Sequence, residues 1–378
     1  MARSSVQPDV LVLGSHPAAY LAAALLRRKS RLCVVHVTIP GEQLGERLVL
    51  VNPALFGVHP LLEGLRRKIE AKAVYGLQFL ADDRGAVAEY RSKTLASLVA
   101  QLKDVRSAMC ELARAQGVEF LVGKGLEIHR LDERGIEVTV GGQTMRPRAM
   151  VLSGRLTGEQ HRLLGVPEEW ERGVVHRYTY ARLRATKWVD LGSRPLVPMS
   201  LDLRGTLSWA WLLPSDRLIQ VAVEQPVQML PTVAPAELLR HWVSVLHRHG
   251  VLHAPIELAD EQIESIDIPF EGALAHEGLA NRTLLVGPAG GFYTGSGEDV
   301  YPNCWSAVFA ADVLKKAWKE PHLQDALQPY RQRWRTTLGD YLRGPQRNLR
   351  FLLPLVYRNQ IMTNRLAEAI LMGRSVVR

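Results

Sequence analysis

The chain has 378 residues, of which 47% are hydrophobic and 22% charged, with a formal net charge of +9. That composition suffices for a large core and excludes disorder as the main theme, and the length suggests two intimately joined domains. Cys33, Cys110 and Cys304 stand far apart with no CxxC or His-spaced signature, which excludes a disulfide framework and a zinc knuckle and suits a reducing compartment.

The first residues lack the apolar stretch of a signal peptide. Nowhere do about 18 uninterrupted apolar residues occur, so a cytoplasmic location without a membrane span is expected. Residues 9–14 form a short apolar run ending in glycine, 17–28 an alanine- and leucine-rich helix with proline in its first turn, and 31–37 a second apolar run. This is the order and length of a βαβ unit.

The spacing predicts a helix over 94–116, strands at 117–122, 136–140 and 150–154, and a Gly141-Gly142 turn. Extended segments at 196–203, 206–213 and 218–224 follow, separated by Arg204-Gly205 and Ser215-Asp216, and read as an antiparallel sheet. A helix over 238–249 lies within that region, and 283–291 returns to strand and glycine turn. The expected divisions are 1–173 with 276–320 returning to it, a sheet domain over 174–275, and a basic helical region over 321–378.

That last region holds most of the charge: from Arg331 to Arg378 ten arginines stand against Asp340 and Glu368, a net +8. With 351–353 and 355–357 apolar between its arginines, it offers peripheral contact with anionic lipid; the alternative is an ordinary solvated helical face. No specific nucleic-acid binding is expected.

The turn of the βαβ unit reads Gly14-Ser15-His16-Pro17-Ala18-Ala19. A dinucleotide fingerprint, G-x-G-x-x-G, uses its second glycine to admit a pyrophosphate close to the backbone, and His16 stands there. Alanine in the third position is an accepted variant. The acidic residue normally found about 20 positions on, for the ribose, is His36.

Three further segments carry a resemblance. Residues 284–301, with Gly287-Pro288-Ala289-Gly290 and then Tyr293, Ser296, Gly297 and Glu298, resemble an LLVGDAAG motif followed by a glycine-rich SGEGI segment. Residues 208–214, with Trp209 and Trp211, are similar to a W-x-x-P strand pair, and 150–154 with 162–165 to an A-D-G…R-x-x-G segment. Together these resemble the FAD-dependent oxidoreductases that include geranylgeranyl reductases, flavin-dependent halogenases and monooxygenases of the para-hydroxybenzoate hydroxylase type, over nearly the whole chain.

The resemblance implies an α/β fold: a Rossmann-like FAD-binding domain, an antiparallel-sheet substrate domain and C-terminal helices. It implies an oxidoreductase acting on a hydrophobic substrate (isoprenoid, lipid or aromatic), with FAD held by residues 14–19, His36, Arg106, Gly287, Pro288, Ala289, Gly290, Gly297 and Glu298. Trp209, Trp211, Tyr293 and Ser296 would meet the substrate. The two tryptophans lie two apart on a strand, so their rings share a face, as core packing or as flanks of a flat ligand.

Five expected contact positions are altered: His16, His36, Pro288 for the aspartate, Asp299 for a glycine, and Leu102 for an arginine, with Lys103 and Arg106 nearby. Two readings follow. Either FAD binds through compensating contacts from His16, His36 and Lys103 or Arg106, or FAD is lost and the frame serves a hydrophobic-ligand-binding protein or a cofactor-independent enzyme of cyclase or isomerase type. No catalytic residue is singled out, and His241, His247 and His249 do not have metal-ligand spacing.

Overall fold

The computed structural model describes residues 7–39, 46–83, 85–123, 126–132, 135–154, 159, 162–163, 175–189, 192–227, 233–277, 279, 281–294, 300–343 and 349–373. In chain order these include β1 (Val10–Leu13), α1 (Pro17–Arg27), β2 (Val34–Thr38), β3 (Leu48–Val51), β4 (Ala71–Val74), β5 (Gly76–Leu80), β6 (Val87–Arg91), β7 (Ser97–Gln101) and α2 (Leu102–Ala115). Then come β8 (Glu119–Val122), β9 (Glu127–Asp132), β10 (Gly135–Val140), β11 (Gln143–Met145), β12 (Ala149–Leu152), β13 (Val175–Arg184), β14 (Val197–Leu203), β15 (Thr206–Pro214) and β16 (Leu218–Pro226). The remainder is α3 (Pro235–Arg248), β17 (Ile263–Pro269), α4 (Ala273–Glu277), β18 (Thr283–Leu285), α5 (Tyr301–Ala317), α6 (Leu323–Ala326), α7 (Pro329–Arg343), α8 (Leu349–Val356) and α9 (Gln360–Met372).

A five-stranded parallel sheet in the order β18-β12-β1-β2-β8 forms the first layer system. Strands β1, β12 and β18 are short and buried on both faces because helices cover one side and a small sheet the other. α1 lies between the sheet and α5, with every residue from Pro17 to Leu26 buried. The β11-β10-β9 sheet covers the opposite face through Ile136, Val138 and Met145, which pack on Leu11, Leu13 and Val35. The register places the C-terminal ends of β1, β12 and β18 side by side, with Leu13 opposite Leu152 and Leu152 opposite Leu285. The turns that follow these strands therefore share one edge of the sheet, where α/β folds build ligand sites.

The second layer system is a seven-stranded sheet, β17-β13-β16-β15-β14-β5-β6, antiparallel except where β14 meets β5. Its outer face is covered by α3, whose Leu238, Leu239, Trp242, Val243 and Leu246 recur at helical spacing and bury against Leu212, Ile219, Val221 and Val223. Its inner face meets the three-stranded β3-β7-β4 sheet through Leu48, Leu50 and Val99, and the C-terminal helices through Val356, Leu366 and Ile370.

Two expectations are corrected here. The helix expected over 94–116 begins only at Leu102; Ser97–Gln101 is the central strand of the three-stranded sheet, hydrogen-bonded to both β3 and β4. Two ladders at once outweigh the local helical preference of a five-residue stretch. Residues 76–91, placed by sequence with the first domain, extend the seven-stranded sheet by two strands through a parallel pairing with β14, which no local pattern reveals.

Candidate functional site

The turn after β1 lies at the shared edge of the parallel sheet. Gly14 has φ +124°, and a Cβ there would come within 2.6 Å of the Gly154 nitrogen, so the turn needs glycine. Ser15 is buried and its Oγ lies 3.5 Å from the Ile39 carbonyl. His16 is the N-cap of α1: its Nδ1 accepts from the Ala18 N–H at 3.2 Å, and its carbonyl accepts from the Ala19 N–H at 2.9 Å. Pro17 has no N–H. The helix-end donors that would meet a pyrophosphate are thus spent within the chain.

The His16 ring is 0% exposed, so no water-sized space adjoins it. Burial, with Arg47 adding a like charge, holds the imidazole well below the usual histidine range and neutral. With Nδ1 accepting, Nε2 carries the proton, and among the described residues it reaches no partner. Across the turn, Gly287 has φ +58°, and a Cβ there would lie 2.6 Å from Ser153 Oγ and 3.4 Å from His16 Nδ1. The two glycine turns therefore close on each other around the imidazole.

His36 is also 0% exposed. It stacks on Tyr20 at 4.4 Å between centroids and meets Phe120 at 5.2 Å. Burial pushes its imidazole down to about 3, opposed only by the Gly14 backbone. The Tyr20 and Phe120 centroids are themselves 6.2 Å apart, so the three rings form one packed cluster on β2, at the position where the fingerprint carries its ribose-binding carboxylate.

Pro288 sits within a short 3-10 turn, Gly287–Gly290, whose Gly287 N–H donates to Ser306 Oγ at 2.9 Å and whose Ala289 N–H donates to the Ser153 carbonyl at 3.2 Å. Arg106 is half-buried one turn into α2, and Leu102, at the expected arginine position, is 1% exposed in the core. Lys103 pairs with Glu46 at 3.8 Å. Ser296, Gly297, Glu298 and Asp299 lie outside the described residues.

The structure places residues 14–19, His36, Ser153 and 287–290 in one packed junction. FAD bound as the fingerprint binds it needs the space of the His16 ring, the Ala18 N–H and an acceptor at position 288. The residues present do not fit it in that pose.

The inner face of the seven-stranded sheet has a different character. Register sets Tyr178 beside Glu224 and Glu224 beside Trp209, and Tyr180 beside Ala222 and Ala222 beside Trp211. Trp209 and Trp211 share this face as expected, at 4% and 1% exposure. Trp211 Nε1 donates to the Tyr178 hydroxyl at 3.3 Å, as does Gln220 Nε2 at 2.8 Å. Tyr293 is buried in the same cluster, 6.4 Å from Phe270.

Polar groups missed by the sequence reading sit here. Glu224, 1% exposed, holds His176 through an Oε1 to Nδ1 contact of 2.9 Å, and the His176 ring lies 4.3 Å from that of Phe270. Burial raises the Glu224 carboxyl, with the His176 hydrogen bond opposing. The Tyr180 hydroxyl donates to Glu264 at 2.6 Å, and Arg182 bridges Glu264 and Glu46 at 3.0 and 3.2 Å. Arg47, 3% exposed, lies 6.0 Å from the Tyr178 ring. The available signal was the alternation of His176, Tyr178, Tyr180 and Arg182, four ligand-competent side chains on one face of one strand.

His241 and His249 are tied elsewhere, to Asp82 at 2.7 Å and the Ala81 carbonyl at 2.8 Å. Among the described residues no helix is long and apolar enough to cross a membrane.

No protein-family description matches the chain, and no curated protein does. Solved structures do match. A geranylgeranyl bacteriochlorophyll reductase-like protein from Thermoplasma acidophilum superposes with a TM-score of 0.69 at 14% identity over 97% of this chain and 88% of its own. A flavin-dependent brominase gives 0.67 at 15% identity, covering 97% and 94%. A probable FAD-dependent monooxygenase from Pseudomonas aeruginosa gives 0.63 at 18%, covering 94% and 98%. The chain has the fold of these solved reductase-like, brominase and monooxygenase structures.

Proposed function

We propose that this protein uses the flavoenzyme frame without a conventionally held FAD, as a cofactor-independent enzyme of isomerase or cyclase type for a hydrophobic ligand. One observation carries the reading: His16, fully enclosed, takes both the space and the helix-end donor that the pyrophosphate requires. His36, buried against Tyr20 and Phe120, supports it from the ribose end, and Pro288 from the flavin end. Chemistry-bearing groups also lie on the inner sheet face, where Tyr178, Trp209, Trp211 and Tyr293 suit an apolar ligand.

A second reading keeps FAD and oxidoreductase chemistry. It is favoured by the fold itself and by the His16 Nε2–H, a donor without an acceptor among the described residues. On that reading the ring swings out and its N–H meets a phosphate oxygen.

The visible absorption spectrum of the purified protein separates the two, taken before and after incubation with excess FAD and gel filtration. A colourless protein at both steps is expected. A retained stoichiometric flavin band overturns the cofactor-free reading in favour of the second.

A further inference from the structure

We infer that His176 and Glu224 form a proton-transfer centre, with His176 as the base and Glu224 as its positioning residue, for an apolar ligand carrying an acidic C–H beside a carbonyl group. The inference rests on the reading of the inner sheet face as the ligand side, and needs neither the presence nor the absence of flavin.

Three observations combine. Glu224 is a carboxylate placed between Tyr178 and Trp209, at 1% exposure. A buried carboxylate is costly unless held, and an apolar side chain of similar volume would pack such a site at least as well. Its described partner is the imidazole of His176, one residue pair further toward the strand end, next to Pro226 and Ile268.

The second observation is directional. Where Glu224 accepts from Nδ1–H, the imidazole bears its proton on Nδ1 and keeps its lone pair on Nε2. Among the described residues Nε2 has no hydrogen-bond partner, and the side chain keeps 12% exposure. The third is the setting: the Phe270 ring fixes the plane of the imidazole from one side, and Tyr293 follows at 6.4 Å from Phe270. A carboxylate that orients a histidine whose far nitrogen is open is the arrangement of a general base.

The step balances without a co-reactant. His176 Nε2 takes the proton from the carbon beside the carbonyl, so a C–H bond breaks and an N–H bond forms. The C–H electron pair becomes the enolate double bond, and the carbonyl π pair moves to oxygen. Glu224 stabilises the imidazolium through Nδ1–H. Returning the proton to the same carbon gives exchange; returning it to a conjugated carbon gives a shifted double bond. No electron leaves the ligand.

The probe is 2-tetralone, an apolar ketone, incubated in D2O with the full-length protein as purified, its α-hydrogen signals followed by proton NMR. The wild type is expected to exchange these hydrogens at least about 100-fold faster than His176→Gly, which falls to the buffer rate. Added imidazole should restore His176→Gly by about tenfold or more, a rescue that a structural role would not give. His176→Gln, which keeps an N–H for Glu224, should fold as the wild type does by circular dichroism and stay inactive. Glu224→Gln should slow exchange and shift the His176 15N resonances away from the Nδ1–H tautomer. Wild-type exchange at the buffer rate, or wild-type rates in either His176 variant, overturns the proposal. A flavin band in the same sample would instead sink the cofactor-free reading, and the exchange rates would still decide this one.

Discussion

Replacing His36 by Phe tests the claim that the dinucleotide-type junction is sealed. In the folded protein the imidazole stays neutral down to about 3, against 6.5 for a free histidine, because burial disfavours the charged form. As pH falls below 6.5 the unfolded chain takes up a proton at this position and the folded chain does not. The stability contributed by the neutral ring is therefore complete above 6.5 and is lost progressively as pH falls toward about 3. Between pH 7 and pH 5 the loss amounts to about 2 kcal/mol from this residue alone. Phe is planar, fits the stack on Tyr20 and Phe120, and does not titrate. Urea unfolding of both proteins at pH 7 and pH 5, followed by tryptophan fluorescence, gives the difference directly, because the titrations of all other groups cancel in the comparison. The pH-dependent loss of stability should be about 2 kcal/mol smaller in the variant. Equal losses in the two proteins would show that His36 titrates normally and meets solvent, and the account of a closed junction would fail.

Other perturbations follow from the same geometry. His16→Ala removes the acceptor for the Ala18 N–H and leaves a void in the turn; a loss of about 2–3 kcal/mol is expected in urea unfolding, and a loss below about 0.5 kcal/mol would contradict the capping role. Trp211→Ala empties the centre of the inner sheet face and removes the donor to Tyr178, so the unfolding free energy should drop by about 3–5 kcal/mol. Asp82→Asn weakens the contacts to His241 and Arg248 and should lower stability by about 1–2 kcal/mol. Although burial alone would raise the Asp82 carboxyl, the Arg204 N–H and His241 outweigh it and hold it below its usual range. Its contribution is therefore present above the ordinary carboxylate range and is lost as acid protonates it. The gap in stability between wild type and Asp82→Asn should shrink in acid, read from melts at neutral and acidic pH.

The βαβ unit was legible because a parallel strand buried on both faces is written as an uninterrupted apolar run and its helix as a dense alanine and leucine stretch. The three longest hairpin strands were legible for the same local reason, with turn residues at Arg204-Gly205 and Ser215-Asp216. Strand β7 was not, since Leu98, Val99 and Ala100 suit a helix equally well and only the two flanking strands decide. The histidine at position 16 reads in the sequence as a missing glycine. That its ring turns back to cap its own helix could not be read from spacing, because a side-chain rotamer is settled by what surrounds it. His176 and Glu224 are 48 residues apart and meet only through the β13–β16 register. The histidine sits four residues before a conspicuous tyrosine and carries no motif of its own.

A helix that carries its own stopper has a consequence for how the protein is maintained. Where a flavoenzyme's helix end is completed by its ligand, the folded population follows the supply of that ligand, by several kcal/mol at saturating concentration. Here the partial positive charge at the start of α1 is answered by a group that is covalently part of the chain and present at the same concentration as the helix itself. On the proposed cofactor-free reading, the stability of this lobe would not follow the supply of flavin.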